Sequence, residues 1–253
     1  MKFAAIIPPV GDGLRILERV GLGYHLVLAQ ELLRNKEYRE YYRILGRLGH
    51  FIICDNGAAE HETPPFEEVV KVAKYIGASE IVMPDVVLDK QGTLDALLQS
   101  RVLDLVPPRM RFIVPQGRTA EEWRQCHIVM HRELDSRYAT IGLSKYHHVP
   151  YGPGGRAQLL SLLPQWIRAN TNIHILGIAT SDPFEEVAQL SAAAAASIRG
   201  IDTAAPIAYA QRVRPLPDPA STGEHISVSW DAPFDLDLGR SNVLAFAKHV
   251  SRL

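Results

Sequence analysis

A chain of 253 residues with 47% apolar and 22% charged positions has the balance of a globular protein with a sizeable core, which excludes a disordered chain. Its net charge of -1 does not by itself argue for nucleic acid, and no segment approaches the roughly 18 uninterrupted apolar residues of a membrane span. Two cysteines, Cys54 and Cys126, exclude a zinc site built from three or four cysteines of one chain and give no disulfide framework.

The opening run from Met1 to Pro9 is too short for a signal peptide and is broken by Pro8 and Pro9, so a cytoplasmic protein is expected. Phe3 to Ile7 reads as a first strand and His25 to Ala29 as a second. Helix formers follow from Gln30 to Leu48, with a break suggested at Asn35 and Lys36. Phe51 to Asp55 is the third strand, stopped by the turn signal Asn56-Gly57. Pro64 and Pro65 open a helix with Glu67 and Glu68 in its first turn, and it closes at Gly77.

The fourth strand spans Glu80 to Pro84 and leads through Asp85 and Gly92 into a helix ending before Pro107-Pro108. Arg111 to Pro115 is the fifth strand, after which Thr119 caps a helix with an acidic first turn. Ala139 to Leu143 is the sixth. It runs into a Gly- and His-rich loop from Ser144 to Gly155, long for such a connection, and long loops of this kind are often functional. A helix from Arg156 to Ala169 precedes the seventh strand, Ile173 to Ile178. Ser181-Asp182-Pro183 starts the next helix, and Ile198 to Asp202 is the eighth strand, followed by a turn that Pro206 stiffens. Arg212 to Pro219 reads as an extended loop and Asn242 to Val250 as a closing helix.

Eight strands alternating with helices, and no linker to divide them, predict one α/β domain over residues 1–253, a closed (β/α)8 TIM barrel; a doubly wound open sheet is the alternative. Strand ends converging on one face then form the site. Asp55 and Asp202 are the first candidates, because two carboxylates there can divide glycosidic chemistry between a nucleophile and an acid/base. Each is equally accounted for as a turn or cap residue. Asp85 and Gln116 can bond the N1-H and amino edge of a guanine-like ring, or can simply end their strands. Gly142-Leu143 would let a flat base approach the backbone.

From Arg109 to Arg156 eight Lys and Arg face four Asp and Glu, so this stretch carries either a basic face or ordinary solvated helix surfaces. The phosphate-contact candidates are Arg118, Lys145, His147, His148, Arg156, Arg199, Arg212 and Arg214. His25, His50 and His174 read as core or edge residues, and no His-x-His or His-Glu-x-x-His spacing supports a metal. Trp123 and Trp166 read as packing residues on helices, and Trp230 as one able to stack on a base.

Taken together, Asp55-Asn-Gly-Ala58 with Glu60, Met83-Pro-Asp85, Val114-Pro-Gln-Gly117, Ile141-Gly-Leu-Ser-Lys145, His174-Ile-Leu-Gly177 and Ser197-Ile-Arg-Gly-Ile-Asp-Thr203 with Pro206 resemble the guanine transglycosylases. The resemblance is to the compact branch that inserts 7-deazaguanines into DNA, found in phages and bacterial DNA-modification clusters. It implies a TIM barrel with Asp202 as nucleophile and Asp55 as general acid/base. Asp85, Gln116, Gly117, Gly142, Leu143 and Asn56 would hold the base, and Lys145, Arg118, His147, Arg156 and Arg199 would meet nucleic acid.

No cysteine follows Asp202, so the zinc subdomain of the tRNA-acting branch is not expected, nor is any metal, ATP or redox cofactor. Gly117-Arg118 also stands where that branch has a Gly-Gly pair. The partners implied are DNA at guanine sites, a base such as 7-cyano-7-deazaguanine, and possible helicase-like help in opening the duplex. Rival readings are an RNA-directed transglycosylase, a barrel lyase or aldolase using Lys145 as a Schiff-base lysine, and a non-catalytic DNA-binding module.

Overall fold

The computed structural model describes residues 1–9, 13–60, 62–147, 155–178, 183–194, 198–216, 228–230 and 232–252. Eight strands form one parallel sheet: β1 Lys2–Ala5, β2 Tyr24–Leu28, β3 Phe51–Asp55, β4 Glu80–Val82, β5 Arg111–Ile113, β6 Thr140–Leu143, β7 Asn172–Ile175 and β8 Ile198–Thr203. Their order, β1-β8-β7-β6-β5-β4-β3-β2, returns β2 to the side of β1, giving a nearly closed barrel of the TIM type. Helices follow the strands around the outside, as parallel crossovers require.

Because side chains alternate along a strand, each strand feeds two cores. Tyr24, Leu26, Leu28, Ile53, Val82, Phe112 and Val114 point inward and form one cluster. Val27, Ile52, Cys54, Ile81 and Ile113 point outward and pack with helix residues such as Tyr38, Tyr42 and Trp123. Asp55 shares the parity of Ile53, which brings it to the carboxyl end on the inner side. In register, Leu28 opposes Asp55 and Ala4 opposes Asp202.

The expected break at Asn35 is real: helices Ala29–Arg34 and Lys36–Arg47 meet there, and the Asn35 side chain accepts from the Tyr38 N-H at 2.9 Å. Glu67 and Glu68 open the helix Phe66–Ile76, which closes on Gly77 at φ 71°, a left-handed conformation that suits glycine. Thr119 caps Ala120–Glu133 through the Glu122 N-H.

Several expected elements change. Arg156 to Ala169 becomes two helices, Gly155–Leu162 and Gln165–Asn170, because Pro164 cannot continue the first. The span before Pro107 is likewise split into Lys90–Leu97 and Ser100–Leu105. The closing helix starts earlier, at Leu236, capped by Asp235. Two helices were not foreseen: Gly13–Val20, and Ala205–Gln211, where Pro206 sits in the first turn instead of stiffening a turn. Residues 148–154, with His148, lie outside the described residues, as do Ser181, Asp182, Ser197 and 217–227.

Candidate active site

At the carboxyl ends of the strands lies a cavity of about 490 Å³, walled by Asp55, Asp85, Asp202, Lys145, Tyr146 and Trp230 among others. That is within the roughly 300–1,000 Å³ typical of small-molecule sites. Its floor is apolar, with Leu26, Leu28, Val82 and Val114 from the barrel interior.

Asp55 ends β3 and accepts from the Gly57 N-H at 2.8 Å. Burial pushes its carboxyl well above the usual carboxylate range, and the charges of Glu60, Asp85 and Asp202 push it further. Both effects favour the protonated form of the Asp55 carboxyl. A carboxyl with a raised folded-state pKa weakens the fold progressively as pH climbs from about 4 toward the raised value. Asp55→Asn keeps the acceptor for Gly57 and removes that penalty. The variant should melt higher than wild type at pH 8 by several degrees, about 2–4 °C per kcal/mol recovered. The gain should shrink toward pH 4, and thermal melts with an equal gain at both pH values would refute this account of Asp55.

Asp85 sits three residues beyond β4. Asn56 Nδ2 donates to its Oδ1 at 2.8 Å and Gln116 Nε2 to its Oδ2 at 2.7 Å. Burial raises its pKa to about 6 despite these two bonds, so it is ionised at neutral pH. The Leu88 N-H donates to Gln116 Oε1 at 3.0 Å, which fixes the amide orientation. Gln116 is fully buried behind Asp85 and outside the cavity wall. Expected to hold the base, it instead aims the carboxylate that faces the cavity.

Asp202, near the end of β8, is only 2% exposed. His174 Nε2 lies 2.9 Å from its Oδ1, and the Gly177 N-H donates to its Oδ2 at 3.0 Å. Gly177 adopts φ 63°, which turns that N-H onto the carboxylate. His174 is in turn 2.7 Å from the Tyr24 hydroxyl.

Other expected site residues are placed differently. Gly142 is buried, with the Phe112 ring filling the space where a Cβ would stand, and it is not among the residues of the cavity wall. Leu143 and Gly117 are also buried away from the wall.

Of the five residues expected at nucleic acid, Lys145 and Arg118 are exposed on the loops after β6 and β5. His147 is buried. Arg156 reaches the wall, but it is 2% exposed, ion-paired with Glu186 and bonded to the Leu176 and Gly177 carbonyls. Arg199 points to the other end of the barrel. A register shift in β8 makes it an extra residue between Ile198 and Gly200, and its guanidinium forms a bidentate pair with Glu80 at 2.6 and 2.7 Å. Neither Arg156 nor Arg199 is available to a phosphate, because acidic side chains and backbone carbonyls already take their donors.

Sequence reasoning missed the contribution of Tyr146, whose hydroxyl donates to the Ala59 carbonyl at 2.8 Å and ties the loop after β6 to that after β3. Lys145 Nζ and Glu60 Oε1, 3.4 Å apart, bridge the same two loops. Trp123 is buried and Trp166 is 55% exposed on its helix, whereas Trp230 lines the cavity. Among the described residues no group of three or more His, Cys, Asp or Glu is placed to hold a metal ion, and no helix is long and apolar enough to cross a membrane. No protein-family model matches the chain, and no curated protein matches its sequence.

Proposed function

We propose that the protein is a DNA-guanine transglycosylase that exchanges guanine for a 7-deazaguanine, most simply 7-cyano-7-deazaguanine. The observation that carries this reading is that Asp55 and Asp202 line one cavity with opposite dispositions. Burial favours the protonated form of Asp55, while Asp202 Oδ2 accepts from the Gly177 N-H and its Oδ1 lies 2.9 Å from His174 Nε2. On this reading Asp55 serves as the acid and Asp202 as the nucleophile. Asp85, ionised and held by two carboxamides, keeps lone pairs for the N1-H and amino group of a guanine-like ring.

In the first half-reaction an Asp202 oxygen bonds to C1' and the C1'-N9 bond breaks. Guanine leaves with the electron pair and takes a proton from Asp55. In the second, the incoming base gives its N9 proton to Asp55, N9 bonds to C1', and the Asp202-sugar bond breaks. Two inversions leave the configuration retained, and the proton returns to Asp55. In duplex DNA the nucleotide has to leave the stack, with Trp230 in the wall available for stacking and Lys145 and Arg118 exposed for the backbone.

The test is incubation of the protein with guanine-containing DNA, or with tRNA, and 7-cyano-7-deazaguanine, followed by nucleoside mass spectrometry. The modified deoxynucleoside should appear in DNA and not in tRNA. Product in tRNA alone would move the activity to RNA, and no product in either would end the reading.

A further inference from the structure

The inner barrel holds a polar chain leading to Asp202, and the proposed mechanism uses none of its other members. Glu80, at the amino end of β4, is 3% exposed and accepts from both Arg199 nitrogens and from Thr140 Oγ1. Arg199 Nε donates to the Tyr24 hydroxyl oxygen at 3.4 Å, that hydroxyl lies 2.7 Å from His174 Nδ1, and His174 Nε2 reaches Asp202. Each ring has a built place: a Cβ on Gly200 would stand 2.7 Å from the Tyr24 ring. The rings of Tyr24 and Phe112 each lie 5.7 Å from that of His174.

The donors and acceptors fit in one order. An arginine only donates, so the Tyr24 oxygen accepts from it and has its own proton left to give. Burial drives the Tyr24 pKa upward, so that proton stays. A carboxylate at Nε2 requires a hydrogen on that nitrogen. His174 Nδ1 is then the acceptor that receives the Tyr24 proton.

We infer that Tyr24 and His174 are positioning residues for Asp202. Arg199 and Tyr24 fix His174 as the Nε2-H tautomer, and His174 with the Gly177 N-H clamps the two carboxylate oxygens so that one lone pair faces the cavity. The catalytic part of this inference rests on the transglycosylase reading; the tautomer does not.

The experiment therefore has two arms on the whole protein. In the first, ¹⁵N-histidine spectra, assigned by loss of the signal in His174→Gln, should show His174 with its hydrogen on Nε2. In Tyr24→Phe, which removes the donor to Nδ1, this should give way to a mixture of tautomers. An Nδ1-H in wild type, or a tautomer unmoved by Tyr24→Phe, overturns the relay whatever the protein catalyses.

In the second arm, single-turnover sugar-adduct formation should fall about 10- to 100-fold in Tyr24→Phe and in His174→Leu, as expected for a lost bond to a charged group. His174→Gln, which can still present an N-H to Asp202, should recover part of the rate, and DNA affinity should hold in all three. Equal loss in Leu and Gln variants, or loss of affinity in step with rate, would reduce His174 to a packing role. A wild-type tautomer as assigned, without exchange under any condition, would retire the transglycosylase reading and leave the relay standing.

Discussion

Asp202→Asn is expected to abolish base exchange and any covalent sugar adduct, a loss of at least ~10⁴-fold. The substitution is nearly isosteric, so the variant should still fold, but an amide oxygen cannot displace a base from C1' at a useful rate. It also meets its surroundings badly. The carboxylate accepts from His174 Nε2 and from the Gly177 N-H, so an amide nitrogen must oppose one of these donors, at a cost of about 1–3 kcal/mol. A lower melting temperature with an unchanged circular dichroism spectrum should accompany the dead phenotype. Denaturing gels and intact-mass spectra of protein mixed with guanine-containing DNA provide the check: wild type should show a protein-DNA adduct and the variant none. An adduct in the Asn variant would remove Asp202 from the nucleophile role. Retained DNA binding by the variant is expected on this account, since inactive enzymes still bind.

The barrel was readable because its signals are local. Each strand is a short apolar run ended by a polar or turn residue, and both faces of such strands are buried, so periodicity and punctuation agree. Phe51 to Asp55 was placed to the residue for that reason. Helix interruption was readable at Asn35, where a capping side chain marks it. The interruption at Pro164 is as local but carries no capping side chain, and the helices starting at Gly13 and Ala205 are hidden by a glycine and a proline inside their first turns.

The site divides along the same line. Asp55, Asp85 and Asp202 could be proposed from strand ends, and all three line the cavity. The relay could not, because it is made by pairs such as Tyr24 with His174, 150 positions apart, and Arg199 with Glu80, 119 apart. Nothing in a histidine's sequence neighbours reveals which carboxylate it faces. For the arginines, the sequence carries charge without burial: Arg118 faces solvent, whereas Arg156 and Arg199 are committed to Glu186 and Glu80.

That commitment makes Arg199→Ala a strongly destabilising change in the barrel. Glu80 is buried among β4, β6 and β8 and takes both oxygens' bonds from Arg199 and Thr140. Without the guanidinium, Thr140 Oγ1 alone remains to satisfy a carboxylate taken out of water. Breaking a buried pair from one side costs about 3–5 kcal/mol, a large share of the roughly 5–15 kcal/mol that holds a domain folded. Part of the loss falls on packing, since the guanidinium also lies 4.7 Å from the Phe51 ring centroid and 5.8 Å from that of Tyr24. Urea titration should therefore show a midpoint far below wild type. Pairing Arg199→Met with Glu80→Leu removes both charges at once and should recover much of the lost stability, as replacing a whole buried pair by apolar groups often does. If the single variant unfolds at the wild-type midpoint, the pair is solvated in solution and the amino-end anchor of the Tyr24-His174 chain is lost with it.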